Sequence, residues 1–453
     1  MSRWTRSRGR WERVSAPDRL REDLELRLAA AQAEERMPSV SATVFREGET
    51  VWEQALGYAN VDAAREATPQ TQYRIGSITK TFTAVGILQL RDAGELSLDD
   101  PLTAHLPESA HGPTIGRMLA HSSGLQREPP GEIWETMKAP SREDLLAGTA
   151  EAEQVLDPGT WWHYSNLAFA LLGEVVARAN GGTWEEALQA RILGPLGLSR
   201  TTPDETEPAA RGYFVEPYSD AVRLEPELDL GGAGALGKLW STTGDLARWG
   251  AFLVSGDDRV LKASTLEEMS HVRAMVDHAG WTVAWGTGLE LYRRGESLFV
   301  GHGGAMPGHL AGLVVDRRTK IGAAVLTNTG AGASPEKLAL DLATAAIAAL
   351  PAAADRWQAG EPAPAGIEPL LGPWWTEGHQ MILSWRKGRL EAKLVGGVPG
   401  RDTSYFEPEG ADRFRSVEGR ERGELLRVVR DSAGEVEKLY FATYPLRREP
   451  STF

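Results

Sequence analysis

Residues 74–82 read RIGSITKTF, and this stretch decides how the chain is interpreted. Ser77 is followed three residues later by Lys80, and the apolar spacing of the continuation TFTAVGILQLRDAG predicts a helix over residues 79–93. Residues three apart share one face of a helix, so the hydroxyl and the amine would lie within contact distance. The alternative is a plain capping serine at the start of the helix.

The surroundings of this pair favour chemistry over capping. Ile75, Ile78 and Phe82 indicate that the helix start is buried, and an unpaired buried ammonium is costly. Burial favours the neutral form of a lysine, so Lys80 could accept the proton of Ser77. The positive end of the helix would favour the resulting alkoxide.

Two later stretches extend the pattern. Residues 161–169, WWHYSNLAF, contain Tyr164 and Asn166 before a second predicted helix. Residues 297–309, SLFVGHGGAMPGH, place His302 and two glycines at the end of a predicted strand. Each stretch alone is weak evidence, because a single histidine is commonly a core residue. Their order along the chain is more specific.

Taken together, Ser77-Ile78-Thr79-Lys80, Tyr164-Ser165-Asn166 and His302-Gly303-Gly304 resemble the three motifs of the serine β-lactamase and penicillin-binding-protein superfamily. The resemblance is to its class C-like branch of esterases, D-aminopeptidases and DD-peptidase-like enzymes. It covers about residues 40–350, and further support comes from residues 118–125, 157–166 and 237–249.

This resemblance implies roles for the motif residues. Ser77 would form an acyl-enzyme, Lys80 and Tyr164 would share the proton transfers, and their resting protonation stays open. Asn166 would orient Lys80 and contact the substrate. Backbone N–H groups of Ser77 and Ala305 would bind the oxyanion. The remaining candidates for the site are the third-motif histidine and five substrate-binding residues: His302, Gly303, Gly304, Trp162, Trp240 and Arg448.

The third motif departs from the usual pattern of the family, which begins with a lysine. His302 is largely neutral at pH 7, so esterase or peptidase activity on a small ester, amide or peptide is favoured over β-lactam hydrolysis. Three alternatives stay open: a thioesterase or acyltransferase that cyclises or transfers a peptide, a β-lactamase or DD-carboxypeptidase, and a non-catalytic sensor.

Element patterns predict an α/β (α+β) fold, in which an antiparallel sheet is flanked by helices. The resemblance adds an all-helical subdomain and, at the C-terminus, a small antiparallel β-barrel of lipocalin-like type. The expected boundaries are a basic, disordered tail over 1–20, a catalytic domain over 21–350, an Ala/Pro/Gly-rich linker over 351–366 and the barrel over 367–453.

Composition narrows the function classes. The 453 residues have a formal net charge of −14, which disfavours nucleic acid and anionic membranes as partners, so a small-molecule or peptide substrate is expected. The sequence lacks cysteine and metal-ligand spacing of its histidines, so neither a metal nor a cofactor is expected. A G-x-G-x-x-G match beginning at Gly232 lacks the strand context of a dinucleotide site. The N-terminus lacks an apolar signal core, which predicts a cytoplasmic protein, and the oligomeric state stays open.

Overall fold

Two short antiparallel strands open the chain in the computed structural model, which describes residues 4–7, 10–13, 16–350, 357–398 and 401–450. They are β1 (Trp4–Ser7) and β2 (Arg10–Arg13). Helix α1 (Ala16–Glu34) begins inside the segment predicted as a tail. Contacts divide the chain into two units, Met1–Ala352 and Ala353–Phe453, and residues 351–356 of the predicted linker lie outside the described part.

The hairpin predicted near residue 40 lies within a nine-stranded antiparallel sheet of the first unit. Its two strands turn at Glu47 and Gly48, which both have a positive φ. In spatial order the strands are β10 (Ala274–Met275), β11 (Val283–Trp285), β12 (Glu290–Arg294), β13 (Ser297–Met306), β14 (His309–Asp316), β15 (Ile321–Thr327), β3 (Ser39–Arg46), β4 (Glu49–Asn60) and β5 (Arg65–Glu66). Two small pairs accompany this sheet, β6 (Tyr73–Arg74) with β9 (Trp240–Ser241) and β7 (Tyr213–Val215) with β8 (Val222–Leu224).

Helices alternate with loops and short strands in the segment between β6 and β10. They are α2 (Thr79–Asp92), α3 (Leu102–His105), α4 (Ile115–Leu119), α5 (Ile133–Thr136), α6 (Arg142–Ala147), α7 (Asn166–Asn180), α8 (Trp184–Leu188), α9 (Gly194–Leu196), α10 (Thr243–Ser255) and α11 (Ala263–Met269), and α12 (Pro335–Ala349) follows the sheet. Helix α7 ends at Gly181, whose φ of 67° suits a left-handed C-cap. No helix of the described residues has the length and apolarity that crossing a membrane requires.

Alternation along the strands gives the sheet two apolar faces. On β14, Leu313 and Val315 belong to the core shared with α2, α7 and α10, whereas Val314 belongs to the core under α1 and α12. Successive side chains of a strand point to opposite faces, so one strand serves both cores. The predicted α+β architecture, with a sheet between helices, is confirmed.

The second unit is an eight-stranded antiparallel sheet. Its strands follow chain order: β16 (Gly372–Thr376), β17 (His379–Arg386), β18 (Arg389–Leu394), β19 (Thr403–Gly410), β20 (Arg413–Glu418), β21 (Leu425–Arg430), β22 (Val436–Phe441) and β23 (Tyr444–Leu446). A bridge between Trp375 and Arg447 brings its ends together, and Trp374 lies fully buried in its core. The predicted small barrel is confirmed, because pairing the ends of the sheet removes the exposed edges.

Candidate active site

Ser77 and Lys80 lie at the start of α2, after a 3₁₀ turn over Gly76–Ile78. The Lys80 Nζ donates to the Ser77 Oγ at 2.9 Å. Lys80 is fully buried, whereas Ser77 is half-buried. No side-chain cap is formed at the start of this described helix, so the capping interpretation of Ser77 is wrong. The predicted contact between hydroxyl and amine is confirmed.

The environment of Lys80 disfavours its charged form. Its Nζ also donates to the Leu236 carbonyl at 2.7 Å, and it lies 5.0 Å from the centre of the Tyr164 ring. Burial lowers the pKa of Lys80 well below its ordinary value; the negative charge of Glu128 opposes this shift and the positive charge of Arg127 adds to it. An amine in this setting can take up a proton from the neighbouring hydroxyl.

The glycine-rich stretch near residue 232 supplies the carbonyl that holds Lys80. It forms a 3₁₀ turn over Gly231–Leu236. A Cβ at Gly232 would lie 2.6 Å from the backbone of Arg142, so a side chain has no room there. Here the glycines permit close packing of the turn that positions Leu236.

Tyr164 is the second motif residue brought to Ser77. Burial raises the pKa of the Tyr164 phenol, and a hydrogen bond with Ser77 acts in the opposite direction. Its ring stacks on His121, with centroids 4.2 Å apart and an interplanar angle of 27°. With the phenol neutral and the amine of Lys80 deprotonated, the pair provides an acid and a base at one hydroxyl.

His121 is a site neighbour to which the sequence analysis gave no role. It has a φ of 51°, in the left-handed region, and its Nδ1 accepts the Ser165 N–H at 3.0 Å. This bond places the proton of the neutral ring on Nε2. Burial is the main cause that lowers the pKa of His121 well below its ordinary value, and the positive charge of Lys80 is the second. Residues 118–125 supported the family resemblance, but no spacing rule linked His121 to Tyr164.

Asn166 contacts a carboxylate that the sequence analysis also missed. Its Nδ2 donates to both oxygens of Glu128, at 2.8 and 3.0 Å. Asn166 was predicted to orient Lys80, but the described hydrogen bonds of Lys80 go to Ser77 and Leu236 instead. A carboxylate is the stronger acceptor for an amide N–H, so Glu128 fixes the Asn166 side chain.

The third motif lies on β13. His302 is buried, its Nδ1 faces the Gly303 carbonyl, and its ring meets Trp285 edge-on at 5.2 Å. Burial, together with the charge of Lys80, lowers the pKa of His302 to about 3. His302 is therefore neutral at pH 7, as predicted from the sequence, and supplies no positive charge.

The backbone of β13 runs beside the nucleophile. A Cβ at Gly304 would lie 2.0 Å from the Ile75 carbonyl oxygen, and one at Gly76 would lie 2.6 Å from the Ala305 nitrogen. Met306 and His309 face each other across the two-residue turn as a hydrogen-bonded pair. Hydrogen-bonded and non-hydrogen-bonded pairs alternate along an antiparallel ladder, so the next pair, Ala305 with Leu310, is not hydrogen-bonded. The Ala305 N–H therefore points away from β14, an orientation that suits the predicted oxyanion role.

A half-buried acidic cluster lies behind this strand. A Cβ at Gly303 would lie 2.1 Å from the Glu336 Oε2, and the Gly303 N–H donates to Glu290. Burial and the negative charge of Glu336 raise the pKa of Glu290 to about 8, and burial also raises the pKa of Glu336. Tyr292 is buried beside them, and burial, together with the negative charges of Glu290 and Glu336, raises the pKa of its phenol well above the ordinary value. The glycine at 303 makes room for this cluster, which no sequence motif indicated.

The other predicted substrate residues are dispersed. Trp162 lines a cavity of about 540 Å³, and Trp240 lines a different one of about 570 Å³. In the second unit, Arg448 lies 3.9 Å from the Trp374 ring and donates to the carbonyls of Pro369, Leu371 and Pro373. A role of Arg448 toward substrate stays a prediction.

Comparisons with known proteins agree with this geometry. Residues 24–347 match the Beta-lactamase family, and residues 363–448 match a domain of unknown function, DUF7586. The chain is 30% identical to Penicillin-binding protein 4 of Amycolatopsis lactamdurans, over 68% of this chain and 85% of that protein. It is 34% identical to Esterase EstB of Burkholderia gladioli, over 42% of this chain and 52% of that protein.

A solved structure is similar as well. The D-stereospecific amidohydrolase of a Streptomyces species is 27% identical, with a TM-score of 0.61, over 71% of this chain and 97% of that one. Across three of the curated relatives, this chain spans between 54% and 85% of their length. With a family match over residues 24–347, the chain belongs to the Beta-lactamase family.

Proposed function

We propose that the protein is a serine hydrolase that cleaves a small ester or amide through an acyl-enzyme on Ser77. One observation carries this proposal: a fully buried lysine whose amine lies 2.9 Å from a half-buried serine hydroxyl. A buried amine without a carboxylate hydrogen bond is costly to keep charged, so its retention at a hydroxyl favours a role in proton transfer.

In the acylation step, the Ser77 Oγ attacks the acyl carbon and its proton passes to the Lys80 Nζ. The carbonyl oxygen becomes an oxyanion between the N–H groups of Ser77 and Ala305. Tyr164 donates a proton as the bond to the leaving group breaks, and Lys80 returns a proton to Tyr164. Water then attacks the ester in the reverse sense, which releases the acid and restores the Ser77 hydroxyl.

The substrate class follows from the third motif and from relatives. A neutral His302 favours esters and amides over a substrate that needs a fixed cation at this motif. Relatives named as an esterase and as a D-stereospecific amidohydrolase support the same classes. The lipocalin-like character of the C-terminal domain, its boundaries and a cytoplasmic location stay predictions.

Turnover of 4-nitrophenyl acetate and D-phenylalaninamide tests the proposal. The wild type should hydrolyse at least one substrate, and Ser77→Ala should abolish this activity. Ser122→Ala, which removes a hydroxyl outside the proposed machinery, is the matched control. Stable labelling of the wild type by a fluorophosphonate without turnover would contradict hydrolysis and favour a sensor. Products that carry the acyl group on an added amine, without free acid, would favour acyl transfer.

A further inference from the structure

We propose that Arg127 binds an anionic group, such as a carboxylate, on the leaving-group side of the substrate. This inference rests on the proposed function, since it assigns a specificity residue to the same site. Its starting point is the guanidinium of Arg127, which lies 5.1 Å from the centre of the Tyr164 ring.

Arg127 is held firmly although its side chain is exposed. Its carbonyl accepts the N–H groups of Asn166 and Leu167, at 2.6 and 3.1 Å, at the start of α7. The side chain is 63% exposed. A rigid backbone therefore presents a solvent-accessible cation beside the phenol that is proposed to protonate the leaving group.

The donors of Arg127 are largely unused. Among the described residues, the ion pair of its side chain is with Glu128, and the Nε–Oε1 distance is 3.4 Å. Both oxygens of that carboxylate already accept the Asn166 amide. A guanidinium has five N–H donors in a planar fork, which matches a carboxylate. Arg127 thus has N–H donors in excess of the acceptors around it, so its side chain suits an anion better than an ammonium group.

The other cationic candidates at the centre are less suited to hold an anion. Lys80 and His302 are buried, and burial favours the neutral form of both. The guanidinium of Arg127, in contrast, lies exposed to solvent beside the Tyr164 ring. Its charge acts on Lys80, His121 and Tyr164, which places it within electrostatic reach of the reacting groups.

A matched pair of esters tests this inference. 5-Acetoxy-2-nitrobenzoate carries a carboxylate on the leaving group, and 4-nitrophenyl acetate lacks it. We expect the ratio of kcat/KM for the charged over the neutral ester to fall about tenfold in Arg127→Gln, the scale of one charge-assisted hydrogen-bonded pair. Arg127→Lys should retain part of the preference.

Arg273→Gln is the control, because this arginine lines the neighbouring cavity with Trp162. Its ratio should stay within twofold of wild type. An unchanged ratio in Arg127→Gln, or a loss in Arg273→Gln instead, would overturn the assignment.

Binding of the product 5-hydroxy-2-nitrobenzoate, measured by calorimetry on Ser77→Ala protein, separates the two proposals because it needs no turnover. Adding Arg127→Gln to the Ser77→Ala protein should weaken this binding about tenfold. Added salt should weaken the binding to Ser77→Ala protein that retains Arg127. Arg127-dependent binding without hydrolysis of either ester would refute the proposed function and retain the anion site. Hydrolysis without Arg127-dependent binding would retain the proposed function and refute the anion site.

Discussion

Replacing Lys80 with methionine gives the most informative perturbation of the site. The substitution keeps an unbranched side chain but removes the amine that reaches Ser77 at 2.9 Å and Leu236 at 2.7 Å. Loss of a general base costs about 10²–10⁴ in rate, or roughly 3–5 kcal/mol of transition-state stabilisation. We expect the acylation rate of Lys80→Met to fall by this factor.

The same substitution should have a small effect on folding at neutral pH. Leaving the buried Leu236 carbonyl unpaired costs about 1–3 kcal/mol, but removal of a desolvated amine offsets part of that cost. Because burial lowers the pKa of Lys80, the unfolded chain binds more protons between that lowered pKa and 10.5. Wild-type stability therefore gains from rising pH across this window, and Lys80→Met should lack the gain.

Stopped-flow acylation by 4-nitrophenyl acetate and urea unfolding at pH 7 and pH 10 measure the two effects. Lys337→Met is the matched control, because Lys337 is exposed and pairs with Asp341 on α12. The control should retain wild-type acylation. A folded Lys80→Met protein that acylates within about tenfold of wild type would refute the base role, since that falls below the range of such catalysis.

Three further predictions concern the surroundings of the pair. Gly304→Ala should lower kcat/KM about 100-fold, because the new Cβ would lie 2.0 Å from the Ile75 carbonyl oxygen and displace the strand by on the order of 1 Å. The control is Gly360→Ala, where a Cβ would lie in open space, and kcat/KM should not change. Between pH 5 and pH 8, Glu290 stays protonated in the folded state while the unfolded chain ionises, so the free energy of unfolding of the wild type should fall by about 1.4 kcal/mol per pH unit. Urea unfolding of Glu290→Gln should lack this fall. Equal pH slopes in both proteins would contradict the raised pKa of Glu290. Glu128→Gln should move the rising limb of the acylation pH profile to lower pH, because the Glu128 charge raises the pKa of Lys80; a shift to higher pH would contradict this.

Sequence spacing predicted the parts of the site that one local element determines. Ser77 and Lys80 lie one helical turn apart, so a helical pattern was enough to bring their side chains together. Likewise, alternating apolar residues and the turn at Lys387 and Gly388 predicted the hairpin of the C-terminal barrel.

Contacts between distant segments could not be predicted in this way. The stacking of His121 on Tyr164 depends on a left-handed backbone at a residue 43 positions earlier in the chain, and local propensity does not specify such a conformation. The carboxylate of Glu128 reaches Asn166 only because the loop after residue 124 returns to the start of α7. Tertiary packing determines both contacts, and neither has a periodic signal.

Identification of the acylated residue tests whether Ser77 is the nucleophile that Lys80 activates. The wild type would be mixed with 4-nitrophenyl acetate, quenched in acid within the first turnover, digested and analysed by mass spectrometry. We expect close to one acetyl group per chain, on Ser77, and little acetylation of Ser77 in Lys80→Met. Turnover with the acetyl group on any other residue, or with Ser77 unmodified at every quench time, would contradict the role of Ser77 as nucleophile.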